Sequence, residues 1–154
     1  MLNSSVPTSG SVCVIIPMYN AAASIGPALE SLSLQTRRPD KVIVIDDGSS
    51  DEGPQIVTDY VAPFELILLQ QTNQGPAAAR NRGVFSATER FIAFLDADDQ
   101  WHPEKLHKQL ALYEQLTREG RQVGLIDCYQ MSEFSDGTQQ LEDRRKGGNH
   151  FADF

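Results

Sequence analysis

The chain has 154 residues, enough for one domain with a substantial core. Its 21 acidic residues against 13 basic ones give a formal net charge of −8. That excludes a nucleic-acid backbone as the main partner, since a phosphate-tracking surface needs clustered Lys and Arg.

Residues 1–10 are polar, contain Pro7 and Gly10, and read as a flexible tail. Val12-Cys13-Val14-Ile15-Ile16 is the first expected strand, ended by Pro17. Ile25, Leu29 and Leu32 then recur at helical spacing, with Ser24 a candidate cap. Val42 to Ile45 form the second strand. Ser49, Ser50 and Asp51 offer cap oxygens for a helix to about Val61. Glu65 to Leu69 form the third strand. Asn73-Gln74-Gly75-Pro76 is a turn, and residues 77–88 form a small-residue helix opened by Pro76. Residues 90–95 form the fourth strand. Pro103 opens a longer helix with Leu106, Leu110 and Tyr113 inward and Gly120 as its stop. Val123 to Cys128 are expected as a fifth strand, followed by a turn at Ser135-Asp136-Gly137-Thr138.

Strand runs that are almost wholly apolar imply burial on both faces. The expected fold is therefore α/β: a three-layer α/β/α arrangement around a mainly parallel sheet. Cys13 and Cys128 both lie in such runs and are expected to be buried free thiols. No apolar run approaches the ~18 residues of a membrane span, and no signal peptide is recognisable. The expected location is the cytoplasm, with the inner face of a membrane as the alternative for a longer protein.

Two strand ends carry the chemistry. Phe91 to Leu95 end in Asp96-Ala97-Asp98-Asp99, and Val42 to Ile45 end in Asp46-Asp47-Gly48. Ligands of open parallel sheets lie at the carboxyl ends of the strands, so both acid clusters are expected in one cleft. Carboxylates there suit Mg²⁺ or Mn²⁺ and, through the metal, a diphosphate. An Asp-x-Asp is weakly specific alone, and Asp99 has a helix-capping role as its plain alternative. Asp47 can accept a base ring N–H or a ribose hydroxyl; its plain alternative is a solvated capping loop. Tyr19 can stack on a base or sit in the core. Arg80 and Arg82, on a helix whose start favours phosphate, can face a cleft or simply solvent. His102 reads better as a turn histidine than as a ligand.

Several motifs now stand in order. They are Val-Ile-Ile-Pro-Met-Tyr-Asn (14–20), Ser31-Leu32-Ser33-Leu34-Gln35-Thr36, Asp46-Asp47-Gly48-Ser49-Ser50-Asp51, Asn73-Gln74-Gly75 with Ala79-Arg80-Asn81-Arg82-Gly83, and Phe94-Leu95-Asp96-Ala97-Asp98-Asp99. Together they resemble family 2 glycosyltransferases of the GT-A fold, over about residues 11–140. The resemblance implies an inverting transferase that uses a nucleotide sugar, usually a UDP-sugar, with Mn²⁺ or Mg²⁺. It implies that Pro17, Tyr19, Asn20 and Asp47 line the nucleobase and ribose pocket, and that Arg80 lies near the nucleotide. Asp96 would contact the ribose or sugar, and Asp98 would hold the metal. Residues 11–141 are then a donor-binding domain. Residues 142–154 read as a loop into an acceptor-side segment that this chain lacks. The general base is expected beyond Phe154, with Asp127 and Asp136 the only candidates within the chain. The acceptor, whether glycan, lipid-linked or protein, is not readable, and a homo-oligomer is expected from apolar surface left uncovered.

Three other readings compete. A nucleotidyltransferase needs a Gly-rich basic loop after the first strand, where Pro17-Met18-Tyr19-Asn20-Ala21 stands instead. A dehydrogenase needs Gly-x-Gly-x-x-Gly, which follows no strand here. A nucleotide-sugar-binding module without transferase activity fits the same residues.

Overall fold

The computed structural model describes residues 10–128, 130–133 and 138–142. Residues 1–9, Phe134, Asp136, His150, Phe151 and Phe154 lie outside them, as do the centre of the turn expected at 135–138 and all of the loop expected at 142–154 except Glu142, which is in a strand. The contacts divide the chain into two units, residues up to Leu110 and residues from Ala111 onward.

The first unit is built on a four-stranded sheet, all parallel, in the order β3-β2-β1-β4. Its strands are β1 (Val12–Met18), β2 (Lys41–Asp46), β3 (Glu65–Gln70) and β4 (Phe91–Phe94). Three helices connect them: α1 (Ile25–Ser33), α2 (Gly53–Asp59) and α3 (Pro76–Ser86). Alternation along β1 sorts its side chains to two faces. Val12, Val14, Ile16 and Met18 join Ile25, Leu29 and Leu32 of α1 and Val57 of α2 in one core. Cys13 and Ile15 join Ile43, Ile45 and Ala79 of α3 in the other. The three-layer α/β/α expectation is thus met. α3 lies close to the sheet because Gly83 has no side chain: a Cβ there would sit 2.4 Å from Ile15 Cγ2.

Several local expectations change. β1 continues through Pro17, which is in register with Ile45. Odd-numbered residues of β1 face β4, as the bond from Leu95 N–H to the Ile15 carbonyl shows. The N–H that proline lacks therefore falls on the β4 side, just beyond the last rung, and costs the sheet nothing there. Ser24 occupies the N-cap of α1 but its hydroxyl bonds the Ala21 carbonyl instead of capping. The outer strand β3 is only half-buried.

The first unit closes at its amino-terminal end around Lys41. The Lys41 ammonium lies 2.7 Å from Glu89 and 3.6 Å from Glu65, beside the buried Cys13. The thiol of Cys13 is pushed up to about 12 by burial first and by the Glu89 charge second.

On the α3 side of β4, Ile92 and Phe94 are exposed, in register with Cys13 and Ile15. α4 (Lys105–Arg118) begins in the first unit and ends in the second, where Gly120 at φ 76 stops it. Leu106 and Leu110 point inward as expected. The second unit also holds β5 (Gln130–Glu133) and β6 (Gln139–Glu142), an antiparallel pair flanking the expected turn. The strand expected at 123–128 does not form; those residues run without regular structure. Gly124 interrupts a run with only two β-favouring residues, Val123 and Ile126, and a strand exists only by pairing. Cys128, expected to be buried, is exposed as a result. No helix among the described residues is long and apolar enough to cross a membrane.

Candidate functional site

The chain order of the sheet explains where a cleft must open. β1, β2 and β3 step one way, and β4 returns to the other side of β1. Connections diverge at that switch point and leave a crevice at the carboxyl ends of β1 and β4. A cleft of about 460 Å³ lies there, within the first unit. The seven residues that the resemblance assigns to the nucleotide and the metal all line it: Pro17, Tyr19, Asn20, Asp47, Arg80, Asp96 and Asp98.

Three loops bring them together, and carboxylates hold those loops. After β1, Asn20 adopts φ 48, a left-handed conformation that Asn tolerates better than most residues. Its backbone N–H donates to Ser49 Oγ at 2.9 Å, and its Oδ1 accepts the Ser50 N–H at 2.9 Å. Asp51 accepts the Ala22 N–H at 2.8 Å and the Gly53 N–H at 3.0 Å. Ser49, Ser50 and Asp51 therefore tie the β2–α2 loop to the β1–α1 loop, while the N-cap expected of them falls on Glu52, which makes no side-chain capping bond. Tyr19 is left 55% exposed, with its ring at the cleft.

Asp47 is the centre of the second connection. It is buried, yet both of its oxygens accept hydrogen bonds. Oδ1 accepts the Gln71 side-chain amide at 2.7 Å and the Gln74 N–H at 2.8 Å; Oδ2 accepts the Gly75 N–H at 2.7 Å. Burial pushes this carboxyl up, but the Gln71 amide and the two backbone N–H groups outweigh it and hold it below the usual carboxylate range. Asp47 thus fixes the Thr72–Gly75 loop at the start of α3. Gly75 at φ 88 makes the turn into the helix, and Asn73 of that loop also lines the cleft. Neighbouring Asp46 faces away, accepting the Ser49 N–H and the Gln70 amide.

The third loop follows β4. Asp96 forms an ion pair with Arg80 of α3, on the cleft lining. Asp98 is exposed and has no hydrogen-bond or ion-pair partner among the described residues. Beyond it, the Ser31–Thr36 motif acts as a brace. Ser31 Oγ accepts the Trp101 N–H, the Gln35 amide spans the His102 carbonyl and the Leu106 N–H, and the Thr36 N–H donates to the Pro103 carbonyl. Lys105 packs 3.8 Å over the Trp101 ring. His102 is an exposed turn residue whose ring nitrogen accepts the Glu104 N–H, and it does not line the cleft. Arg82 turns to the Gln70 carbonyl at 2.7 Å rather than into the cleft. Asp127 lies in the second unit and Asp136 outside the described residues.

Gln71 carried no signal in the sequence, and Asn73 only its place in the Asn73-Gln74-Gly75 turn motif. Polar residues in a turn are common, and only the fold reveals that they meet Asp47 or the cleft. Ser24, expected only as a helix cap, and Ala97, between the two acids of the β4 loop, line the cleft as well.

Comparison with known proteins agrees with this geometry. The profile of Glycosyl transferase family 2 matches residues 13–152. The amylovoran biosynthesis glycosyltransferase AmsB of Erwinia amylovora is 38% identical over 132 residues, covering 83% of this chain and 44% of AmsB. Glycosyltransferase YibD of Escherichia coli is 41% identical over 104 residues, covering 67% of this chain and 29% of YibD. Among solved structures, S. aureus TarS in complex with UDP superposes with a TM-score of 0.66 at 33% identity, over 70% of this chain and 33% of that one. TarS has also been solved with UDP-GlcNAc. The chain spans less than half the length of AmsB, YibD or TarS.

Proposed function

Because the chain belongs to glycosyl transferase family 2, we propose that its cleft binds a nucleotide sugar, a UDP-sugar before others, as the donor half of a metal-dependent, inverting glycosyltransferase. The acceptor is a glycan, a lipid-linked molecule or a protein. The observation that carries this reading is convergence: seven side chains from four separate strand ends and helix starts line one cleft at the switch point. The TarS complexes with UDP and UDP-GlcNAc support the choice of donor.

The residues divide the work. The exposed ring of Tyr19 offers a face on which a base stacks. Asp47 has about four lone-pair positions, of which three are filled within the protein. One acceptor position is left for a ring N–H. That count favours uracil, which presents one N–H between two carbonyls, over guanine, whose edge brings two donor groups. The first turn of α3 carries N–H groups at Ala77 and Ala78 that the helix cannot use, and its dipole favours phosphate. Arg80 neutralises Asp96 and so limits repulsion between the acidic loop and a diphosphate.

The donor set fits Mn²⁺ or Mg²⁺. Asp98 presents hard carboxylate oxygens with no competing partner among the described residues, and no cluster of three or more ligating His, Cys, Asp or Glu occurs among them. One carboxylate with phosphate oxygens completing the shell is a usual arrangement for Mg²⁺. Asp98 would hold the ion, and when bound the ion offsets, as a Lewis acid, the charge that builds on the departing diphosphate. Transfer also requires a carboxylate to deprotonate the acceptor hydroxyl. We place that base, with the acceptor, outside the 10–110 unit.

Calorimetry across UDP-, GDP- and dTDP-sugars, with and without Mn²⁺, tests the reading. Tightest binding is expected for the UDP-sugar with metal. Equal, weak heats for all three donors under both conditions would remove it.

A further inference from the structure

Gln71 does not line the cleft, belongs to no motif, and is nevertheless tied to the cleft's most heavily bonded carboxylate. Its Nε2 lies 2.7 Å from Asp47 Oδ1. Its own placement is fixed from two sides. The Gln71 backbone N–H donates to the Asp46 carbonyl at 2.9 Å, continuing the β2–β3 ladder by one rung. Behind it, Arg82 bonds the Gln70 carbonyl at 2.7 Å and reaches Gln71 Oε1 at 3.5 Å. Gly48 permits this closeness: at φ 80, a Cβ on it would sit 3.0 Å from Asn73 N and 3.4 Å from the Gln71 carbonyl.

We propose that Gln71 is a positioning residue for nucleobase recognition, its side-chain amide pinning the Asp47 carboxylate so that Oδ1 serves the protein and Oδ2 keeps one acceptor position for a base ring N–H. The inference rests on the nucleotide reading above. Oδ1 receives two donors, the Gln71 amide and the Gln74 N–H, and is filled. Oδ2 receives one, the Gly75 N–H. Without the amide, the carboxylate regains an acceptor position on Oδ1 and freedom to rotate. The cleft then loses its reason to prefer a single-donor base edge. The ionised state weakens as well, because burial pushes Asp47 up and the Gln71 amide is the foremost group opposing it. The charged and titratable groups on the surrounding elements are Tyr19 after β1, Asp46 and Asp51 on the same loop, Arg80 and Arg82 on α3, and Asp96 and Asp98 after β4.

Gln71→Met keeps the side-chain length and removes the amide. Two measurements read the result: the Asp47 carboxyl titration by carbon NMR in the ligand-free protein, and calorimetry of UDP and GDP with Mn²⁺ between pH 4.5 and 7.5. The Asp47 midpoint is expected to rise. UDP affinity at neutral pH is expected to fall by roughly 10–150-fold, the loss of one hydrogen bond to a charged group. The preference for UDP over GDP is expected to narrow. UDP binding by the variant should decline on acidification at a pH where wild-type binding is unchanged. Arg82→Met, which removes only the backing, should shift the same readouts less and in the same direction, and it serves if Gln71→Met does not fold. A loss equal at every pH with an unmoved Asp47 titration is a merely structural effect and overturns the proposal. An unchanged UDP-to-GDP ratio overturns it too. If the wild-type chain binds no uridine nucleotide, the nucleotide reading falls first; UDP binding that is indifferent to Gln71 overturns this inference alone.

Discussion

The guanidinium of Arg80 pairs with the carboxylate of Asp96, while Asp98, two residues along the same loop, is left without a partner among the described residues. The two acids of Asp96-Ala97-Asp98 are therefore not equivalent. Both members of the pair are partly exposed, so the bond itself adds little stability. Its effect is on availability: it leaves one carboxylate for a cation and removes the other.

This asymmetry is testable with two variants. Asp98→Ala is expected to abolish most of the difference in UDP affinity between Mn²⁺ and chelator, with the thermal midpoint unchanged. Asp96→Ala is expected to keep the metal dependence while lowering affinity in both conditions. Identical behaviour of the two variants would show that the ion pair does not sort their roles.

Asp47→Asn keeps the shape and replaces an acceptor with a donor amide. One of three protein donors then faces an N–H₂ group, and the base ring N–H does too. UDP binding is expected to weaken by about 1–3 kcal/mol, and amide exchange at Gln74 and Gly75 to accelerate. Affinity equal to wild type with unaltered exchange would show that this carboxylate neither recognises a base nor holds the loop.

The amino-terminal end of the sheet predicts a pH profile. The Lys41 ammonium is raised, foremost by its bond to Glu89, and Cys13 is raised by burial. Groups raised on folding give stability that is present below their unfolded values, here 10.5 and 9.0, and is lost as pH climbs through the folded ones. Glu89 is pushed up by burial, but the Lys41 bond outweighs this and holds it below its ordinary 4.5. Its contribution is present above pH 4.5 and lost as pH falls through the lowered value. Urea midpoints should therefore fall above pH 9 and below pH 4.5, and Lys41→Met should flatten the acid limb. Independently, a thiol reagent at pH 8 should label one cysteine, Cys128, in the native protein and two after denaturation.

Gly83→Ala is expected to cost about 1–3 kcal/mol, because the added methyl group meets Ile15 Cγ2. The same substitution in an Ile15→Ala background should cost less than in wild type, since the obstructing atoms are gone. Additive losses would place the strain elsewhere.

Much of this site is legible in the sequence because its chemistry sits where apolar runs stop. Val42 to Ile45 and Phe91 to Leu95 announce their ends by turning abruptly acidic, and a parallel sheet collects such ends on one side. What stays hidden depends on neighbours. Gln71 is an ordinary turn residue until β3 pairs with β2 and carries it beside Asp47. The motif at Ser31–Thr36 is visible as a pattern, but its work of holding Trp101 and Leu106 lies 70 and 71 residues away in sequence. At residues 123–128, β propensity misleads, because no strand among the described residues pairs with that run. The exposure of Cys128 follows from the same missing partner.

Pro17 takes one hydrogen bond out of the seam between β1 and β4. A parallel ladder between β1 and β4 lengthens for as long as each residue can offer a hydrogen, and this residue cannot. The crevice opens where that seam stops, beside a residue whose covalent structure withholds the next bond. Pro17→Ala returns the missing hydrogen and lets the seam draw shut by one stitch. The expected signs are a slowly exchanging amide at position 17 and weaker UDP binding in a protein that unfolds no sooner than wild type.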